Sequence, residues 1–146
     1  MKTEESMEYN KEELFKEIDL IHSCINRMSN FSLIIKGWTV SLVGISLSIS
    51  QNIYIIAFLL ILIFLFWYLD SFYLLTEKRY RKLYDWVVKH RLVNNKDNLF
   101  NLESSRFKSD TGNIIKTAFS KTIWPFYISL ILILCTFLFL IWFSVI

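Results

Sequence analysis

The chain has 146 residues, of which 54% are hydrophobic and 17% aromatic, and its formal net charge is +3. Its apolar residues form long uninterrupted blocks, which a soluble domain of this size could not bury. The composition therefore excludes an ordinary soluble protein and indicates a membrane protein.

A polar helix is predicted at the amino end, over residues 1–30. Its apolar residues recur at steps of four and three, the spacing of a coiled-coil seam: Leu14, Ile18, Ile21, Ile25 and Met28. We expect this seam to pack on a partner helix or on copies of the chain, and so to serve oligomerisation. A helix lying on the membrane surface is the alternative, but such helices are usually basic, whereas residues 1–30 carry a net charge of −3.

The first transmembrane span is predicted over residues 31–50. Its single charge, Lys36, lies near the start of the span, where a long side chain can reach the membrane surface. One face collects small residues at steps of four, three and four: Gly37, Ser41, Gly44 and Ser48. This face indicates either close helix packing or a water-filled path between subunits, and both place the span inside an assembly. The candidate pore-lining residues are Thr39, Ser41, Gly44, Ser46 and Ser48.

A tight turn at Gln51 and Asn52 predicts an antiparallel hairpin with a second span over residues 53–69. No Gly or Pro lies between positions 53 and 92, so one helix is expected to leave the membrane and continue outside it. Asp70 marks the crossing point, directly after two aromatic residues that favour the membrane–water interface.

Residues 70–122 are basic, with a net charge of +5. We expect this segment to be helical, with two short helices or turns after residue 93 and a bend at Gly112, and to pack beside the acidic amino-terminal helix. The remaining positive charge fits either lipid head groups or a phosphate-bearing ligand. The candidate ligand-binding residues are Arg79, Arg81, Lys82, Arg106 and Lys108.

A third span is predicted over residues 123–146, which carry no charge and begin with Trp124 and Pro125. The 16 Lys and Arg residues all fall within residues 1–36 and 70–122. Positive charge is retained on the cytoplasmic side, so the amino end and the 70–122 segment are expected in the cytoplasm and the carboxyl end outside.

Catalytic and metal-binding patterns do not occur in the sequence. It has no Gly-rich phosphate loop and no nucleophile motif, and its two cysteines and two histidines lack partners at metal-ligand spacing. We therefore expect no enzymatic activity, no metal and no cofactor.

Two runs within residues 67–85, WYLDSFYL and EKRYRKLYD, resemble a pattern of small bacterial membrane effectors in nucleotide-linked antiphage defence systems. The membrane effector of the Hailong system is similar in size and layout. The resemblance implies a homo-oligomeric, tetrameric ion channel of the bacterial inner membrane, opened or closed by an oligonucleotide that a partner nucleotidyltransferase makes. It supplies no catalytic residue.

The sequence thus predicts an all-α membrane protein with three transmembrane helices, long cytoplasmic helical extensions and a homo-oligomeric state. The expected function is an oligomeric pore that depolarises the membrane under control of a nucleotide or oligonucleotide. The alternative is a non-conducting scaffold or accessory subunit that recruits a cytosolic enzyme to the membrane.

Overall fold

The computed structural model describes residues 2–49, 52–91 and 99–145. These residues form helices and turns and contain no strand, which confirms the all-helical class. Three of the helices are long and apolar enough to cross a membrane, and a membrane location follows from them. The elements in chain order are α1 (Lys2–Ile49), α2 (Ile53–Arg91), a 3₁₀ helix (Ser104–Phe107), α3 (Lys108–Thr111), α4 (Ile114–Ala118) and α5 (Trp124–Val145).

The helices α1 and α2 each join a polar half to an apolar half without a break. In α1 the polar half, residues 2–30, continues directly into the apolar half, residues 31–49. In α2 the apolar half begins at Ile53, and the polar half ends at Arg91. At about 1.5 Å per residue, the 39 residues of α2 form a rod of roughly 58 Å, twice the thickness of a bilayer core.

The turn before α2 is closed by Asn52, as expected of a helix-capping residue. Its side-chain oxygen accepts a hydrogen bond from the Tyr54 backbone N–H at 2.9 Å, and its carbonyl accepts one from Ile55 at 3.0 Å. Two N–H groups of the first turn, which have no partner within a helix, are thereby satisfied. The other predicted turn residue, Gln51, lies outside the described residues.

Two apolar cores hold the helices together, with α2 at the centre. The larger core joins the apolar halves of α1 and α2 to α5, and its buried residues are Val43, Ile56, Leu59, Ile63, Ile123, Tyr127, Leu130 and Leu134. The smaller core joins the polar halves of α1 and α2 through Ile21, Ile25, Leu83 and Val87. The helices α1 and α2 therefore run antiparallel from the hairpin turn to the level of Ile21 and Val87.

The segment between α2 and α5 folds back along α2. Gly112 separates α3 from α4 with a φ of +74°, a left-handed conformation that glycine adopts without steric cost, so the predicted bend is present. The Trp67 indole N–H of α2 donates a hydrogen bond to the Ala118 carbonyl of α4 at 3.0 Å. The Trp67 ring also stacks on Tyr127 of α5, with 5.7 Å between ring centroids. Trp67 thus fixes α4 and α5 on α2.

Candidate functional site

A buried ionic cluster connects α1 and α2 where the apolar half of each helix meets its polar half. The Lys36 ammonium lies 2.6 Å from Asp70 Oδ2 and donates a hydrogen bond to Ser32 Oγ at 2.8 Å. The Ser32 hydroxyl donates to Asp70 Oδ1. The Asp70 side chain is 0% exposed, whereas 19% of the Lys36 side chain is exposed. Three polar side chains therefore form a closed set of contacts in apolar surroundings.

The local structure explains how these groups meet. Ser32 and Lys36 are four residues apart on α1, so they lie on the same helix face, and the hairpin brings Asp70 opposite them. Removing an ion from water costs several kcal/mol, and only close pairing with further hydrogen bonds offsets that cost. Charged groups held inside an apolar helix bundle are expensive, so they most often mark a functional position.

The third long helix reaches the same cluster through Tyr127. Its ring is fully buried, its hydroxyl donates a hydrogen bond to the Phe66 carbonyl at 3.2 Å, and it interacts electrostatically with Asp70. Thr39, buried beside it, donates to the Ile35 carbonyl at 2.7 Å. The cluster is therefore shared by α1, α2 and α5, and any displacement of α5 changes the surroundings of Asp70.

No family model matches this chain, and neither a curated protein nor a solved structure matches it.

A second ion pair fastens the polar halves of α1 and α2. Arg91 donates to Glu17 through two nitrogens, from Nε at 2.8 Å and from Nη2 at 3.0 Å, and both side chains are buried. The Phe100 backbone N–H also donates to Glu17, at 3.0 Å, which ties the start of the returning segment to the same carboxylate. The predicted packing of the acidic helix beside the basic helix is therefore present, and one buried fork of hydrogen bonds anchors it.

The predicted oligomerisation seam is partly covered within the chain itself. Ile21 and Ile25 are buried against α2, and Leu14 packs beside them. Ile18 and Met28 remain half-buried. Three residues of the seam thus pack within the chain: Ile21, Ile25 and Leu14. Only half-buried Ile18 and Met28 could also contact another copy.

The predicted pore-lining residues separate onto two faces of α1. Ser41, Gly44 and Ser48 are exposed on the face that Gly37 also shares, and Ser48 donates to the Gly44 carbonyl. Thr39 is buried on the side that faces α2, and Ser46 is half-buried. The sequence alone does not separate these faces, because the residues on both are small or carry hydroxyl groups.

The predicted ligand-binding residues are also divided. Arg81 and Lys82 line one groove of about 270 Å³ between α2 and α3, together with Lys78, Asp85, Asp110 and Thr111. Arg81 is held there by an ion pair with Glu77, at 2.7 Å. Arg79 is half-buried on the same helix, and Lys108 is exposed.

Arg106 is occupied elsewhere. Its guanidinium lies over the Trp86 ring, 5.1 Å from the centroid, and over Phe107 at 5.9 Å. On its other side Trp86 stacks on His90, with 4.2 Å between centroids. Arg106 therefore packs the 3₁₀ helix onto α2 and is not among the residues that line the groove of Arg81 and Lys82.

The sequence alone predicts no role for Ser32, for Tyr127 or for the Glu17–Arg91 fork. A signal for the ion pairs does exist, because residues at similar distances from the hairpin turn lie at the same height in antiparallel helices. Among the residues that the structure describes, no group of three or more His, Cys, Asp or Glu side chains could hold a metal ion.

Proposed function

We propose that the protein is a homo-oligomeric ion channel, without enzymatic activity, whose subunits associate through the small-residue face of α1. We define this face as Gly37, Ser41, Gly44 and Ser48. The observation that carries the proposal is the open space around both glycines, since a Cβ added at either would meet no atom within 4 Å. The chain's own packing therefore does not require glycine at these positions.

Glycine inside a helix costs about 1 kcal/mol relative to alanine, so its presence needs another reason. Gly37 with Ser41, and Gly44 with Ser48, form two small-xxx-small pairs, the pattern that lets helices approach closely in a membrane. A second copy of α1 supplies that close neighbour. The Ser41 and Ser48 hydroxyls would then lie at the subunit boundary, where they favour water and ions over lipid.

In this proposal the polar halves and the 70–122 segment lie in the cytoplasm of a bacterium, and the carboxyl end lies outside the inner membrane. The separation of the basic residues supports that orientation. Opening of the channel dissipates the membrane potential. Control by a nucleotide or oligonucleotide from a partner nucleotidyltransferase, and a role in antiphage defence as a tetramer, rest on the resemblance of residues 67–85.

The groove of Arg81 and Lys82, between α2 and α3, is the first candidate for contact with the phosphates of such a ligand. Reversing the charge of both residues should shift the concentration of ligand that changes the current by tenfold or more. Replacing exposed Lys89, outside the groove, is the matched control. An unchanged response after both reversals would remove the groove from the proposal.

Substitutions of equal kind on two helices test the association face. Gly44→Leu adds bulk to the small-residue face, and Ala57→Leu adds it to an exposed position of α2 at a comparable distance from the turn. We expect Gly44→Leu to abolish depolarisation of expressing bacteria, read with a potential-sensitive dye, and to reduce the oligomer mass in detergent. Ala57→Leu should change neither. Equal behaviour of the two variants would contradict the proposal, and a stable oligomer that never depolarises cells would favour a scaffold.

A further inference from the structure

Two adjoining grooves of opposite character lie beside α4. The first, of about 290 Å³, lies between α2 and α4, and its lining is almost entirely apolar. The second, of about 430 Å³, lies further along the polar half of α2 and is lined by polar and basic residues. Phe119 lines both, so the apolar groove and the basic groove adjoin.

The apolar groove has the properties of a surface that faces hydrocarbon. Its walls are formed by Phe64, Trp67 and Tyr68 on one side and by Ile115 and Phe119 on the other. The hydrogen bond from the Trp67 indole to the Ala118 carbonyl, together with the edge contact of Trp67 with Phe119 at 5.6 Å, keeps the two walls in place. Ile115 is 69% exposed and Phe119 is 63% exposed, so the groove presents apolar surface that water would cover poorly.

The basic groove has the properties of an anion site. Lys78 of α2, Lys116 of α4 and Lys121 after α4 converge on it, against the single carboxylate of Asp110. None of these lysines forms an ion pair with another residue that the structure describes. Thr117 and Ser120 add polar residues to its lining.

Along α2 the apolar groove comes first and the basic groove second, in the same order as the acyl chains and the head group of a phospholipid in a membrane. Tyr68 and Lys78 are ten residues apart on α2, which is about 15 Å along the helix axis. Acyl chain and phosphate are thus matched by adjacent apolar and basic walls at the level where α2 leaves the apolar region.

We propose that these grooves bind one anionic phospholipid of the surrounding membrane, with an acyl chain along Phe64, Trp67 and Ile115 and the head-group phosphate between Lys78, Lys116 and Lys121. The occupant is a lipid and not a free anion, because an apolar groove adjoins the basic groove at Phe119 and a free anion would leave that apolar groove uncovered. The acyl chain lies on Trp67, and Trp67 in turn stacks on Tyr127 of α5. Binding of the lipid therefore stabilises the position of α5.

Native mass spectrometry of the purified full chain, with phosphatidylglycerol titrated into the detergent, tests this site. Phosphatidylcholine and glycerol 3-phosphate are titrated in parallel. We expect phosphatidylglycerol to bind at least tenfold more tightly than either. Equal binding of phosphatidylcholine would overturn the anion site, and equal binding of glycerol 3-phosphate would overturn the lipid assignment.

Paired variants locate the binding. Lys116→Gln with Lys121→Gln should weaken phosphatidylglycerol binding roughly thirtyfold, since each basic residue at a membrane surface contributes about a fivefold factor. Lys11→Gln with Lys89→Gln, two exposed lysines outside the grooves, removes the same charge and should leave binding unchanged. Ile115→Gln should reduce the preference for the diacyl lipid over glycerol 3-phosphate. Equal losses in the two lysine pairs would show general charge attraction and would overturn the proposed site.

Discussion

The Lys36–Asp70 pair gives the sharpest prediction about the buried cluster, because its two partners differ in exposure. Lys36→Met keeps most of the length of the side chain and removes the ammonium, which leaves the Asp70 carboxylate with the Ser32 hydroxyl and without its ion-pair partner. The Asp70 side chain is 0% exposed. Removing one partner of a buried ion pair typically costs about 3–5 kcal/mol, and we expect this cost for Lys36→Met.

Replacing the other partner, Asp70, should lower the free energy of unfolding by less. Asp70→Asn keeps the shape of the side chain, and its amide oxygen can still accept a hydrogen bond from one of the two partners, Ser32 on one side or Lys36 on the other. The Lys36 side chain is 19% exposed, so its ammonium can turn toward the head groups along a flexible stem. The loss is then that of a charge-assisted hydrogen bond, about 1.5–3 kcal/mol. The double variant contains no unpaired buried charge and should be more stable than Lys36→Met alone.

The assay is reversible unfolding in mixed micelles with a rising fraction of SDS, followed by tryptophan fluorescence. The free energy of unfolding is compared at one micelle composition for the wild type, both single variants and the double variant. Lys11→Met and Asp19→Asn, both exposed in the polar half of α1, are controls that should stay within about 0.5 kcal/mol of the wild type. Equal costs for Asp70→Asn and Lys36→Met, or costs that add in the double variant, would show that the unequal exposure of the two partners does not determine the loss of stability.

The remaining predictions concern the polar halves and the orientation. Glu17→Gln weakens the fork with Arg91 and should lower the free energy of unfolding by about 3–5 kcal/mol in the same assay, whereas exposed Glu12→Gln should change it by less than about 0.5 kcal/mol; similar losses would contradict the role of the fork. Alkaline phosphatase, active only outside the inner membrane, should be active when fused after residue 146 and inactive when inserted at Gly112. The opposite pattern would reverse the proposed orientation.

The long helices could be predicted from the sequence because local chemistry alone determines them. The continuous helix from Ile53 to Arg91 follows from the absence of Gly and Pro, and its start follows from Asn52, which caps it. The bend at Gly112 is local for the same reason, since only glycine adopts its positive φ without cost. These features need no knowledge of distant residues.

The ion pairs needed one further step, the register of the hairpin. Lys36 lies 15 residues before Gln51, and Asp70 lies 18 residues after Asn52, so antiparallel helices place them at nearly the same height. Taken span by span, the sequence predicts that Lys36 reaches the membrane surface on its own. The position of the turn, applied to both helices, instead places Lys36 opposite Asp70.

Other features were beyond reach because they depend on distant packing. The sequence does not distinguish the small hydroxyl residues of the first span from one another, so it predicts the same role for buried Thr39 and exposed Ser41. The position of α4 depends on the hydrogen bond between Trp67 and Ala118, two residues that are 51 positions apart. For Arg106 the sequence predicts a cation available to a ligand, and only its contact with Trp86 shows that it packs the 3₁₀ helix onto α2.

Single-channel recording of the purified wild-type protein in planar bilayers, with its mass in detergent measured beforehand, tests the channel most directly. We expect an oligomer several times the 17.5 kDa chain mass and discrete current steps, both lost in Gly44→Leu and kept in Ala57→Leu. A protein of single-chain mass that leaves bilayers silent and does not depolarise expressing bacteria would contradict the proposed channel.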